Sequence, residues 1–305
     1  MSMNSNDIRI AMIGGDLRQY AAAEELSKRG WRARAWGIPA MSDKNEGIEV
    51  FGNISDAVKG ATVIALPLPV STDGAVLNCP LSSSDEPVPL SFVESIIPDG
   101  AVVVGGRIPD ELRIALEARG ITVKDYFLSE EFQIHNAYIT AEAALNIAMN
   151  NLDRNLSEAK IAITGYGRIA KHLVRLLKRF DADVTVVARK SSDLAWAYSS
   201  GCSVKRISTE GEREKNILAL TKGYDVIYNT VPTRLFGRDF LVAVDRRTCI
   251  IDLASAPGGV DVCAAKALGS RVLWATSLPG KYAPVSAGRI IALCIDDILR
   301  NEVEL

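Results

Sequence analysis

Histidine and cysteine are scarce in this 305-residue chain. The two histidines, His135 and His172, fit no metal-ligand spacing. The five cysteines (Cys79, Cys202, Cys249, Cys263 and Cys294) are scattered, odd in number and form no C-x-x-C pair. A structural zinc site or a disulfide framework is therefore not expected, and a reducing cytoplasm is the expected compartment. An excess of either charge is also missing. The 35 Lys and Arg against 37 Asp and Glu leave a net charge of −2 at pH 7, which gives no electrostatic basis for binding nucleic acid or an anionic membrane. No apolar run reaches the ~18–20 residues of a membrane span. The polar start, Met1 to Asp7, has no apolar signal region. What is present is ordinary for a globular protein, 48% apolar and 24% charged, at a length for which two domains are the default.

The most specific feature lies between Lys160 and Ser192. A short apolar run, Lys160 to Thr164, reads as a buried parallel strand and enters Gly165-Tyr166-Gly167-Arg168-Ile169-Ala170, the G-x-G-x-x-A form of a dinucleotide phosphate turn. Gly165 permits the tight turn, Gly167 lets the backbone meet a pyrophosphate, and Ala170 allows close helix–strand packing. An amphipathic helix follows, with Ile169, Leu173, Leu176, Leu177 and Phe180 on one stripe, so its first N–H groups would face phosphate. The next strand, Asp183 to Ala188, ends where an NAD enzyme places an acid for the ribose 2′-hydroxyl. Here the chain reads Ala188-Arg189-Lys190-Ser191-Ser192. Two cations and two hydroxyls suit a 2′-phosphate, so the expected cofactor is NADP(H). The bland alternative is a Rossmann-like domain that has lost its nucleotide.

The whole chain alternates strands and helices, which predicts an α/β fold with mostly parallel sheets covered on both faces. The first half carries predicted strands at Ile8–Ile13, Arg32–Trp36, Thr62–Leu66, Ala101–Val104 and Ile121–Lys124. Helices are expected at Leu17–Arg29 and Pro109–Arg119, with Pro109 at the first helical position. Gly14-Gly15 lacks the G-x-G-x-x-G spacing, so this half reads as a flavodoxin-like or Rossmann-like substrate domain without its own nucleotide. Residues 67–90, rich in Pro and Ser, read as a lid or binding loop. A capping box of Ser91 and Glu94 is expected to open the next helix. A long helix, Ala137 to Asn150, marks the domain boundary. The division expected is 1–136 for the first domain and 137–283 for the nucleotide domain, with a final helix packing 284–305 back on the first. In the second domain, helices are expected at 193–200, 212–222, 238–244 and 260–268, and strands near Ser203 and at 225–229, 249–253 and 272–275. Two domains joined by long helices predict a cleft for cofactor and substrate.

Ligands of such sheets bind beyond the carboxyl ends of the strands. Asn229-Thr230-Val231-Pro232 is a candidate wall beside the nicotinamide ribose, or an ordinary strand-end turn. Ser255, Gly258 and Gly259 precede a predicted helix and can present N–H groups to a carboxylate, or serve turn geometry alone. Lys281 is a candidate partner for a substrate carboxylate, or a solvated cation, the simpler reading. From the first half, Asp16, Arg18, Ser71 and Thr72 follow strand ends. Arg18 is the candidate carboxylate clamp, through its bidentate guanidinium, or a solvated helix residue. No histidine stands near the last helix to act as the acid/base of a 2-hydroxyacid dehydrogenase. His172 falls on the phosphate-turn helix, away from the reacting carbons, and His135 reads as a structural or surface residue. Glu142 either projects into the cleft or is a solvated helix-start carboxylate, and no general acid or base is identified.

Taken together, Ile13-Gly14-Gly15-Asp16-Leu17-Arg18-Gln19, Gly165-Tyr166-Gly167-Arg168, Ala188-Arg189-Lys190-Ser191-Ser192, Asn229-Thr230-Val231-Pro232, Asp252-Leu253-Ala254-Ser255-Ala256-Pro257-Gly258-Gly259 and Leu278-Pro279-Gly280 with Ala283-Pro284 and Ala287-Gly288 resemble the family of dipicolinate synthase A subunits over nearly the whole length. The match is loosest at 67–90. The resemblance implies two α/β domains of the formate/glycerate-dehydrogenase type and a partner, the flavoprotein-like B subunit of dipicolinate synthase. It also implies oxidation of a dihydrodipicolinate ring to pyridine-2,6-dicarboxylate in the mother cell of a spore former. Two other readings stay open: an NADP-dependent reductase of a 2-keto acid or cyclic imine, and a non-catalytic nucleotide-binding regulatory protein. Homo-oligomerisation also stays open.

Overall fold

The computed structural model describes residues 8–38, 47–82, 86–207 and 209–302. Met1 to Asp7, and Ser83 and Ser84 of the 67–90 loop, lie outside them. The chain divides into two compact units, Met1–Asn136 with Pro279–Leu305, and Ala137–Leu278. Residues 279–283 thus fall in the first unit rather than the second.

In the first unit the elements run β1 (Arg9–Ile13), α1 (Leu17–Lys28), β2 (Arg32–Trp36), β3 (Ile48–Val50), α2 (Ile54–Val58), β4 (Val63–Ala65), α3 (Leu90–Ile96), β5 (Val102–Gly105), α4 (Asp110–Ala118), β6 (Thr122–Asp125) and α5 (Glu130–Met149), the last continuing into the second unit. The second unit holds β7 (Lys160–Thr164), α6 (Arg168–Arg179), β8 (Asp183–Ala188), α7 (Ser191–Ser199), β9 (Ser203–Arg206), α8 (Glu210–Leu218), β10 (Val226–Asn229), α9 (Arg238–Ala243), β11 (Cys249–Asp252), α10 (Val262–Leu268) and β12 (Val272–Trp274). A short α11 (Leu278–Tyr282) and α12 (Pro284–Asp297) follow.

Both sheets are parallel and share one topology. The first is ordered β3-β2-β1-β4-β5-β6 and the second β12-β11-β10-β7-β8-β9. Counted within each unit, this is the 3-2-1-4-5-6 order of the Rossmann fold, so the flavodoxin-like alternative for the first half is set aside. Side-chain alternation explains the two covered faces. Ile10 and Met12 of β1 enter one core while Ala11 and Ile13 enter the other. In β7, Ile161 and Ile163 separate from Ala162 in the same way. On α6, Ala170, Leu173, Val174 and Leu177 are buried at helical spacing.

Local signals mislead in a few places. Pro109 stands before α4 in extended backbone (ψ 138) rather than as its first helical residue. The expected Ser91–Glu94 capping box does not form, because α3 already begins at Leu90 after Pro89 and no side chain caps it. The long helix starts at Glu130, seven residues before its expected start. β3, α2 and α11 are not expected from the sequence pattern. They have three, five and five residues, too few for a period to show.

α12 packs on α1 at very close range. A Cβ at Gly288 would collide with the Arg18 carbonyl and lie 2.6 Å from the Ala21 Cβ, so only glycine admits this approach. Asp296 near the end of α12 accepts from Trp31 Nε1 (2.7 Å), Arg300 Nε (2.7 Å) and Arg29 Nη1 (3.1 Å). Burial pushes this carboxyl up, but the bonds from Arg300, Trp31 and Arg29 outweigh it and hold it below the usual carboxylate range.

Candidate functional site

The ends of β7 and β10 are neighbours at the point where the strand order reverses, and a buried polar network ties them together. Thr164 Oγ1 donates to Asn229 Oδ1 at 2.6 Å, and Thr230 Oγ1 donates to the Thr164 carbonyl at 2.8 Å. Asn229 Nδ2 donates to Asp252 Oδ1 (2.7 Å) and to the Val231 carbonyl (3.0 Å). Asp252 also accepts from the N–H groups of Ala254 and Gly259. Asn229 is fully buried. It therefore holds the strand ends in place and does not present its amide as a wall. Thr230 and Val231 are half-buried and Pro232 is exposed.

This frame positions the phosphate turn. Gly165 has φ +86, and a Cβ there would lie 2.5 Å from Thr230 Oγ1, so glycine is required. Gly167, the residue capping α6, has extended backbone, and a Cβ there would meet nothing within 4 Å. No side chain caps α6, so its first N–H groups remain for an anion. Arg168 is exposed and Ile169 half-buried at this helix start. Tyr166 contributes backbone to the turn, while its ring is buried in the core of the second unit and its hydroxyl lies 3.5 Å from Ser200 Oγ.

Beside the turn lies a cavity of about 500 Å³ lined by Gly165, Tyr166, Ala188, Arg189, Lys190 and Val231. Arg189, Lys190, Ser191 and Ser192 are all exposed at the end of β8 and the start of α7. The open space at Gly167, the uncapped helix and this cavity fit a dinucleotide. No acid stands between Ala188 and Ser192. The cavity itself, however, is also lined by Asp193 and Glu210, along with Thr209 and Arg213. Glu210 and Arg213 escape a reading by motif because they enter from α8, across a strand pairing that spacing does not reveal.

The glycine-rich segment after β11 works differently from the expectation. Gly258 N–H donates to the Ser255 carbonyl (2.9 Å) and Gly259 N–H to Asp252 Oδ2 (2.8 Å). Both donors are committed within the loop, and α10 starts later, capped by Asp261. They do not form an anion nest. Ser255 is exposed.

In the first unit, Arg18 is 9% exposed rather than solvated. Its Nε and Nη2 reach Asp16 at 2.8–3.1 Å, and Nη2 also donates to the Leu68 carbonyl at 2.6 Å. A Cβ at Gly280 would stand 2.9 Å from Arg18 Nε, so that glycine makes room for the pair. Ser71 is spent in a turn: it donates to Asp73 and accepts from the Gly74 N–H. Bonds from Ala75, Val76 and Ser71 hold the Asp73 carboxyl below its usual range. Thr72 and Lys281 are exposed. His135 faces Glu131 at 3.8 Å, and His172 packs edge-on to Tyr138. Glu142 accepts from the Tyr138 hydroxyl and raises the phenol. Among the described residues, no three His, Cys, Asp or Glu form a metal-holding group, and no helix is long and apolar enough to cross a membrane.

Comparison with known proteins adds to this geometry. Residues 9–127 match the family described as the N-terminal domain of the dipicolinate synthase A subunit. The chain is 29% identical over 294 residues to the dipicolinate synthase A subunit of Bacillus subtilis (strain 168), covering 96% of both chains. The crystal structure of the dipicolinate synthase A subunit from Bacillus halodurans superposes with a TM-score of 0.84 at 25% identity, covering 98% of this chain and 100% of that one. An L-alanine dehydrogenase shares the fold alone, with a TM-score of 0.65 at 13% identity over 96% of this chain and 90% of its own. The chain is thus similar to the dipicolinate synthase A subunit along nearly its whole length, and its residues 9–127 match the model of that protein's N-terminal domain.

Proposed function

We propose that the chain is an NADP(H)-dependent oxidoreductase of the dipicolinate synthase type. It would act with a flavoprotein-like B subunit in the mother cell of a spore former, converting dihydrodipicolinate to dipicolinate. The observation that carries this is the phosphate turn at the switch point of the second sheet, followed at the end of β8 by Arg189 and Lys190.

The precursor, 4-hydroxy-tetrahydrodipicolinate, loses water to give the dihydro ring. That ring then loses a hydride and a proton and becomes aromatic. The nicotinamide, when bound, supplies the hydride acceptor. Residues of the chain bind and orient. The Thr164–Asn229–Asp252 network fixes the turn, the first N–H groups of α6 take the pyrophosphate, and Arg189 and Lys190 take the 2′-phosphate. Arg18, held by Asp16 through Nε and Nη2, offers its Nη1 edge to one substrate carboxylate. Gain of aromaticity drives the step, so a strong base is not demanded, in keeping with a chain of two histidines.

One observation favours a second reading. Asp193 and Glu210 line the same cavity, and an acid there suits the free ribose hydroxyls of NAD(H). The deciding experiment incubates the purified chain with the lysine-pathway precursor and NADP⁺ or NAD⁺, with and without the B subunit, and follows pyridine-dicarboxylate absorbance. Product with NADP⁺ supports the proposal. Product with NAD⁺ alone supports the second reading, and nucleotide binding without turnover in any combination indicates a regulatory role.

A further inference from the structure

We infer that Arg206, at the end of β9, is a further cation of the 2′-phosphate site and decides between NADP(H) and NAD(H). The inference rests on the NADP(H) reading.

Sequence proximity does not suggest it, because Arg206 is fourteen residues beyond Ser192. The sheet brings it there. β8 and β9 pair in parallel with Ala188 opposite Arg206, and Ile207 N–H donates to the Ala188 carbonyl at 3.1 Å. Ala188 is the last residue of β8, immediately before Arg189 and Lys190. The register therefore sets Arg206 beside the loop that the nucleotide reading needs. Its side chain turns toward that loop, and Nη2 donates to Ser191 Oγ, the hydroxyl of the first residue of α7. Arg206 is exposed and makes no ion pair among the described residues.

Local charge explains why a further cation matters. Asp193 and Glu210 offset two of the three cations in the cavity, Arg189, Lys190 and Arg213, and Arg213 Nη2 is committed to the Arg234 carbonyl at 2.6 Å. With that lining alone, a dianionic 2′-phosphate meets three cations against two acids. Arg206 adds a planar, permanently charged donor aimed at Ser191, where a phosphate oxygen can replace or share the serine bond. A solvated strand-end arginine would make no such contribution.

The test uses binding rather than turnover. The full chain, as wild type, Arg206→Ala and Arg206→Lys, is titrated calorimetrically with NADPH, NADH, 2′,5′-ADP and 5′-AMP. Arg206→Ala is expected to weaken NADPH and 2′,5′-ADP about tenfold, the loss of one charge-assisted bond, with NADH and 5′-AMP within about twofold. Arg206→Lys should recover part of the loss. If the wild type prefers NADPH and Arg206→Ala leaves that preference intact, the inference is overturned while the NADP(H) reading stands. If Arg206→Ala weakens both nucleotides alike, its role is structural and the inference is again overturned. If the wild type prefers NADH, the reading and the inference fail together.

Discussion

The Asn229 amide donates to the Asp252 carboxylate across 2.7 Å, and both residues are buried at adjacent strand ends of the second sheet. Removing the amide strips the carboxylate of one partner and leaves the Thr164 hydroxyl without its acceptor in Asn229. Asn229→Ala should therefore cost about 2–4 kcal/mol, the penalty of stranded buried polar groups. Urea unfolding monitored by far-UV dichroism checks this. An unchanged midpoint would show that the network is not coupled to stability.

The two glycines of the phosphate turn should separate folding from binding. Gly165→Ala forces an L side chain to φ +86 and against Thr230 Oγ1, and should destabilise the fold by about 1–3 kcal/mol. Gly167→Val enters open space and should cost only about 1 kcal/mol, the difference between glycine and valine at a helix cap. On the proposed function it should nonetheless abolish dinucleotide binding, because it fills the space the pyrophosphate would take. Wild-type nucleotide affinity in Gly167→Val would mean the turn is misassigned.

The strand–turn–helix at Lys160–Arg179 is local, so motif spacing alone places it. Buried strands such as Val102–Gly105 announce themselves as unbroken apolar runs. What the amino-acid order leaves hidden depends on partners distant along the chain. Whether the Gly259 N–H is free for a ligand turns on the Asp252 side chain, and Arg18's burial turns on Leu68 and Gly280. The Ser91–Glu94 pattern looks sufficient for a cap, yet the backbone becomes helical two residues too early to use it.

The charges at the end of β8 give a prediction about the cofactor. Arg189→Ala should weaken NADP(H) at least tenfold, about one charge-assisted bond, and leave NAD(H) nearly unchanged. Equal losses for both nucleotides would place Arg189 away from the 2′-phosphate.

Stability should fall at acid pH partly through Asp296. Its carboxyl is held below the usual range in the folded chain. Its contribution is thus complete above the unfolded value of about 3.9 and is lost as pH drops toward the lower folded value. Asp296→Asn should weaken the ties of Trp31, Arg29 and Arg300 to α12 by about 1–3 kcal/mol at neutral pH. The gap between mutant and wild type should narrow below about pH 4. A gap that stays constant from neutral pH to that range would remove Asp296 from the acid transition.

Arg18 and Gly280 supply the last test, which concerns the substrate. Arg18 is buried, bidentate to Asp16 and seated where Gly280 leaves no side chain. If its remaining edge holds a substrate carboxylate, Arg18→Ala leaves that carboxylate unpaired, at about 2–5 kcal/mol in a buried site, and kcat/KM should fall well over tenfold. Gly280→Ala keeps the charge but presses on Nε and on the Asp16 carboxylate, each within 3.2 Å of the new methyl. It should lower kcat/KM by a smaller factor, about threefold, by tilting the guanidinium. Neither change touches the nucleotide cavity, whose lining belongs wholly to the second unit, so NADP(H) affinity should stay within about threefold in both. Steady-state turnover with the B subunit present, paired with nucleotide titration, separates the effects. An unchanged kcat/KM in Arg18→Ala would leave the Asp16–Arg18 pair as a brace for α1 alone, and the substrate carboxylate would have to be sought elsewhere.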